Sequence, residues 1–258
     1  MAFRFEKLAA SLAAAWKEGS TIPLPQEGEG PRTRAEAYAI QDRVAELIGG
    51  RIAGWKVGAT VKAVQQFEGH DGPVPGRIFA DRLFQGEAQV AARLYNGAKI
   101  EAEFAMRTTA PLPANITAET LAPILDFHPA IELAATRYAP GTGNRAATTF
   151  DGIADNGTGG AAVIGAAVKD WQSLPFTTMA VEATIGASPA IQAYGGVYRR
   201  PPLDIAVETF SDLRARGITV EPGSVLLTGS LTLPTPIRKG EKAVVRIGDF
   251  PPIRIALL

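Results

Sequence analysis

The chain has 258 residues, 46% of them hydrophobic and 20% charged, and its 26 Lys and Arg balance its 26 Asp and Glu to a formal charge of zero. A chain of this length and composition buries a substantial core, which argues against disorder, and the lack of a net field argues against nucleic acid as a partner. The absence of cysteine excludes disulfides, thiolate chemistry and Cys-bound metal centres, so any metal must use oxygen ligands or the two histidines, His70 and His128.

In chain order, Leu8, Leu12, Ala15 and Trp16 recur at helical spacing within Met1–Gly19. The charges at Arg4, Glu6, Lys7, Lys17 and Glu18 leave no clean apolar block, so the segment reads as an amphipathic helix and not a signal peptide. Thr33-Arg-Ala-Glu36 is a capping-box pattern that opens a second helix carrying Ala37, Ile40, Val44 and Leu47, and Gly49-Gly50 closes it. Residues 22–31, rich in Pro, Gly and Glu, form a surface connection. From Arg51 the texture changes to short apolar or alternating runs separated by Gly and Pro. Strands are expected at 52–57, 99–107, 130–135, 161–166, 177–185, 225–229, 243–247 and 253–257. One late helix, Leu203–Arg216, is stopped by Gly217. The expectation is one catalytic domain, 1–258, with a helical portion at 1–50 and a β-rich, metal-binding core at 51–258. The longest run of small and apolar residues, 159–168, is far short of the roughly 20 that span a bilayer. A cytoplasmic protein with no membrane partner is expected.

The most informative segment is Lys99–Arg107. Period-two geometry puts Ile100, Ala102, Phe104 and Met106 on one face and Glu101 and Glu103 on the other, with the two glutamate Cα atoms roughly 6.5–7 Å apart. Two such carboxylates can share one hard cation; equally, they can line the wet face of a half-exposed sheet. Glu132 faces away from Ile131 and Leu133, either as a third oxygen ligand or as an exposed strand carboxylate. Lys56 ends a strand that runs into Gly58 and Thr60, where it can neutralise a substrate carboxylate or simply be solvated. The segment from Asp155 to Gly160 is a polar turn lining a site or an ordinary connection, and no lysine follows to make it a phosphate loop. His70 sits in a polar loop, Glu68–Gly72, and His128 beside Phe127 reads as structural. Tyr194 and Tyr198 flank Gly195-Gly196 in a turn that either covers a site or joins two strands.

Taken together and in order, Trp55-Lys-Val-Gly-Ala-Thr60, Ala63-Val-Gln-Gln66, the segment 73–79, Ile100-Glu-Ala-Glu-Phe104, Ala130-Ile-Glu132, Ala154-Asp-Asn156 and Leu227-Thr-Gly-Ser230 resemble the 2-keto-4-pentenoate hydratase and 4-oxalocrotonate decarboxylase family. That family lies within the fumarylacetoacetate hydrolase superfamily. The resemblance implies an α+β fold with a mixed β-sandwich or β-roll core, a Mg2+ or Mn2+ ion, a homo-oligomer, and a small 2-oxo acid or dienol acid as substrate. Carried over by position, it makes Glu101, Glu103 and Glu132 the metal ligands. Lys56 becomes catalytic and substrate-binding, Asp155 and Thr158 catalytic, and Thr60 and Asn156 substrate-binding. The implied activity is hydration of a 2-hydroxy-2,4-dienoate to a 4-hydroxy-2-oxo acid, with decarboxylation of a 2-oxo dicarboxylate as the alternative. The hydrolase branch of the superfamily uses a histidine and a glutamate to cleave carbon–carbon bonds, which makes Glu68 and a catalytic His70 a further alternative; a metal-free binding paralogue is another. The chain departs from the family at Val74 and Pro75, where many hydratases carry an acid, at Ala59-Thr60-Val61, and at Thr158, where a serine is common.

Overall fold

The computed structural model describes residues 3–141 and 145–258. Helices α1 (Glu6–Glu18) and α2 (Arg34–Ile48) form where the spacing and caps place them; Met1 and Ala2, included in the expected first helix, lie outside the described residues. The Thr33 hydroxyl accepts from the Glu36 backbone N–H at 3.1 Å, and Gly49 ends α2 in the left-handed region, at φ 74°. Ala9, Leu12 and Ala13 of α1 and Ile40 and Val44 of α2 are buried together.

The remaining elements alternate strands with short helices: β1 (Ile52–Gly58), α3 (Lys62–Glu68), β2 (Val74–Phe79), β3 (Leu83–Gln85), β4 (Glu87–Val90), β5 (Lys99–Thr108), α4 (Ala118–Leu121), β6 (Leu125–Ala134), α5 (Thr149–Ala154), β7 (Ala161–Ile164), β8 (Val181–Ile185), β9 (Ile191–Gln192), α6 (Pro202–Ala215), β10 (Val225–Ser230), β11 (Thr235–Pro236), β12 (Lys242–Ile247) and β13 (Ile253–Leu257). They build two mixed sheets. The eight-stranded sheet runs β2-β1-β10-β5-β6-β7-β3, with β11 added to β5, and the five-stranded sheet runs β4-β13-β12-β8-β9. Among the described residues, no helix is long and apolar enough to cross a membrane.

The alternation in β5 decides how the sheets stack. Ile100, Ala102, Phe104 and Met106 are buried with Phe127, Ile131 and Leu133 of β6, in a core shared with Ala183 and Ile185 of β8 and Ile253 and Ile255 of β13. Phe104, Phe127 and Phe176 meet edge to face, with ring centroids 5.1–5.5 Å apart. The opposite face of the large sheet carries a smaller apolar cluster, including Ala105, Ala130, Ala162 and Leu227. Beyond this cluster on the same face stand the glutamates.

Two expectations change, and one helix was not foreseen. The strand expected from 177 starts at Val181, because Thr178 and Met179 donate to Pro175 O in a turn. The strand expected from 130 begins at Leu125. Residues 62–68 are helical, and Phe67 is 91% exposed there, so the helix has no apolar stripe by which to announce itself. Phe104 is fully buried, and Phe104→Ala is expected to lower unfolding stability by about 3–5 kcal/mol; a urea midpoint unchanged from the parent chain would contradict this account of the core.

Candidate metal centre

The register of β5 against β6 sets Glu101 directly opposite Glu132, and Glu103 follows two residues on, on the same face. Two of these side chains are withdrawn from water, Glu103 at 0% and Glu132 at 1% exposed, while Glu101 is half-buried. One carboxylate oxygen from each of the three lies within 4.8 Å of the others. Glu103 Oε2 accepts the Gly229 backbone N–H at 2.8 Å. That donor is aimed by an irregularity in β10 between Leu227 and Ser230, with Gly229 at φ 96°, where a side chain would be strained. Glu103 Oε1 and Glu132 Oε2 are buried with no hydrogen-bond partner.

Lys56, on β1, brings the compensating charge. Its Nζ lies 3.1 Å from Glu132 Oε1 as an ion pair, outside hydrogen-bonding geometry, and donates to Gly157 O at 2.9 Å. Burial acts first on every group. It pushes Glu101 up to about 7, helped by the charge of Glu132 and partly offset by Lys56 and Ser230. Burial, then Glu132 and Glu101, hold Glu103 well above the usual carboxylate range. Burial also pulls Lys56 down, but the glutamates outweigh it and the ammonium is net stabilised. Buried carboxylate oxygens without donors, in a cluster with more acid than base, are a donor set suited to a hard divalent cation. The three glutamates are the residues that could hold one.

Above the glutamates opens a cavity of about 580 Å³. Lys56 is the only cation lining it among the described residues, and Glu68 and Glu101 are the only acids; Thr60, Thr158, Tyr194 and Tyr198 also line it. The rim is strained. Ala59, Asn156 and Thr158, at φ 51–56°, are the non-glycine residues with positive φ among the described residues. The turn 156–158 presses so closely on β2 that a Cβ on Gly76 would stand 2.2 Å from Asn156 O.

Two expected site residues are placed differently. The Asp155 carboxylate accepts from Thr136 Oγ1 and from the Arg137 backbone N–H, both at 2.9 Å, and from Arg137 Nε at 2.5 Å, and it does not line the cavity. Burial still leaves it above the ordinary carboxylate range. Asn156 is likewise committed: Oδ1 accepts from Arg77 N at 2.7 Å and Nδ2 donates to Arg77 O at 2.8 Å. Both residues therefore fix the turn that offers Gly157 O to Lys56, instead of facing a ligand. His70 is buried behind the wall, its Nε2 2.8 Å from Glu68 Oε2, and only Glu68 reaches the cavity. His128 bonds Gly165 O at 2.9 Å, as a structural residue should. Sequence reading missed Arg137 and the Gly229 N–H. Neither has a local signature, since each acts on a partner remote in the chain.

The mixed two-sheet α+β architecture is a fold shared with fumarylacetoacetate hydrolase family proteins of known structure. No family model matches the chain. It is 30% identical over 253 residues to 2-keto-4-pentenoate hydratase 1 of Dechloromonas aromatica (strain RCB), covering 94% of this chain and 92% of that one. Among solved structures it resembles 4-oxalocrotonate decarboxylase from Pseudomonas putida G7 complexed with magnesium and adipate, at a TM-score of 0.84 and 20% identity over 100% and 99% of the two chains. It also resembles a structure named as a fumarylacetoacetate hydrolase family protein from Yersinia pestis CO92, at a TM-score of 0.53 and 13% identity over 79% and 92%. The chain belongs to the 2-keto-4-pentenoate hydratase and 4-oxalocrotonate decarboxylase family.

Two outcomes follow from the site's electrostatics. The folded state binds protons at Glu101 and Glu103 more tightly than the unfolded chain does, so it loses stability as pH rises through about 7. Lys56, shifted upward from 10.5, contributes nothing to the slope in that range. In chelator, the melting temperature should be lower at pH 8 than at pH 6, with Glu101→Gln flattening the difference; a pH-independent parent would refute this. Asp155→Ala strands the Arg137 guanidinium, which is 4% exposed, and is expected to cost about 3–5 kcal/mol in chemical denaturation; a loss below 1 kcal/mol would show the pair is not what holds the turn.

Proposed function

We propose that this chain is a divalent-metal-dependent hydratase that adds water to a 2-hydroxy-2,4-dienoate to give a 4-hydroxy-2-oxo acid. The observation that carries the reading is the convergence of Glu101, Glu103 and Glu132 beneath a cavity whose lining offers a single cation, Lys56. The three glutamates would hold Mg2+ or Mn2+, both of which favour carboxylate oxygen. When bound, the cation supplies positive charge that stabilises negative charge on the 2-oxygen of the substrate. Lys56 pairs with the substrate carboxylate and offsets the excess negative charge of the glutamates. The hydroxyls of Thr60 and Thr158, on the cavity wall, offer hydrogen bonds to polar atoms of the bound acid. Proton traffic needs an acid outside the glutamate triad. Val74 stands on the wall where many relatives carry an acid, and Glu68 is the other carboxyl there. His70 engages Oε2 of Glu68, leaving Oε1 to give or take a proton at the carbon chain.

A lining with one cation favours a substrate with one carboxylate, hence hydration over decarboxylation of a dicarboxylate. The Glu68–His70 pair favours one second reading, hydrolytic cleavage of a carbon–carbon bond. Supplying the dienol of 2-oxopent-4-enoate with magnesium separates these outcomes: one hydrated product is expected, whereas carbon dioxide or two carbon fragments from a longer substrate would overturn the hydratase. Glu132→Gln should weaken magnesium binding by about 100-fold or more in calorimetry while the far-ultraviolet spectrum is retained. Unaltered affinity in that folded variant would remove Glu132 from the ligand set.

A further inference from the structure

The cavity is larger than its charged end requires. Clefts of roughly 300–1,000 Å³ enclose ligands of drug size, and the approximately 580 Å³ here far exceeds a five-carbon acid. Away from Lys56, Glu101 and Glu68 the wall is uncharged: Val61, Val64, Ile153 and Pro234 line it with Tyr194 and Tyr198. The nearby Arg200 is already taken, donating to Glu208 at 2.6 and 3.0 Å and to Thr60 O at 2.6 Å.

The tyrosines are a built feature. Their ring centroids are 5.7 Å apart with planes inclined at 42°. The turn that carries them is tied at both ends. Tyr194 N donates to Leu231 O at 2.8 Å, while the Arg199 guanidinium, next to Tyr198, reaches Phe176 O at 2.6 Å and Met179 O at 2.9 Å. Between them Gly196, at φ 60°, closes the turn so that both rings reach one cavity. Tyr198 lines the cavity and is 46% exposed, which leaves ring surface at the mouth for a ligand to cover.

We propose that Tyr194 and Tyr198 are specificity-determining residues that select a 2-oxo or dienol acid with one carboxylate and, at its far end, a flat uncharged group about the size of a phenyl ring. The inference rests on the oxo-acid reading of the same site. Aromatic pairs favour such a group by stacking or edge contact, and among the described residues the lining supplies no second cation for a terminal carboxylate.

Unreactive probes test it by calorimetry, each titrated with and without magnesium: pyruvate, 2-oxohexanoate, 2-oxoadipate and 2-oxo-5-phenylpentanoate. The phenyl acid is expected to bind at least tenfold more tightly than pyruvate, and 2-oxoadipate more weakly than 2-oxohexanoate. Tyr198→Ala should cut the phenyl-to-pyruvate affinity ratio by about tenfold, and Tyr198→Phe should retain it, because the ring and not the hydroxyl makes the contact. Magnesium dependence common to all probes reports the charged end; differences between probes at fixed magnesium report the tail. Equal affinities with magnesium dependence intact, a preference for 2-oxoadipate, or an unchanged ratio in Tyr198→Ala would each overturn this proposal alone. A phenyl preference that persists without any magnesium dependence would support it while overturning the metal-site reading.

Discussion

Three carboxylates gathered on one sheet face, Glu103 and Glu132 fully buried and Glu101 at the cavity floor, against one lysine are a destabilising arrangement unless something else sits among them. Desolvation penalises each charge, their mutual repulsion adds to that, and Lys56 can neutralise only one. The fold tolerates the cluster because the opposite face of the same strands is among its best packed regions. Phe104, Met106, Phe127 and Ile131 lock β5 to β6 there and hold the register that sets Glu101 against Glu132. The glutamates are thus fixed by strands rather than loops, which suits a ligand set needing constant geometry.

The lysine is held differently. Its strand ends at a rim where non-glycine backbone takes left-handed φ, and the turn supplying Gly157 O is clamped by buried polar pairs, Asp155 with Arg137 and Asn156 with the Arg77 backbone. Strain of roughly 1–3 kcal/mol per such residue persists only where surrounding structure over-determines it. Here the pairs do so. Asp155 and Asn156, beside the site, direct their side-chain hydrogen bonds to Thr136, Arg137 and the Arg77 backbone.

Much of the site was legible, and the reason is local. A period of two puts Glu101 and Glu103 on one face whatever else the chain does, and an apolar-flanked Glu132 reads the same way. Asp155 and Asn156 were legible as a polar turn, but their partners lie in other elements, 18 and 79 residues away in sequence, so no spacing could reveal that their side chains were occupied. Strand β2 was not among the expected strands, and Pro75 within it supplies no N–H to a ladder. It is the edge of its sheet, where a missing N–H is tolerated. Helix α3 was hidden because its one large apolar side chain, Phe67, points to solvent.

By itself the sequence determined the chemistry available: no thiolate, no net field, acids paired on one strand face, a lysine at a strand end, and tyrosines about a glycine turn. These are properties of residue type and of a repeat two residues long, which the backbone enforces locally. Only the tertiary structure decided that Glu103 and Glu132 are dry, that Glu132 meets Glu101, that Lys56 joins them from a strand not adjacent to theirs, and that the tyrosines share a cavity with Lys56 and Glu101. Burial and register depend on which distant segments pack together, and a charge becomes a site only when its water has been removed and its neighbours chosen.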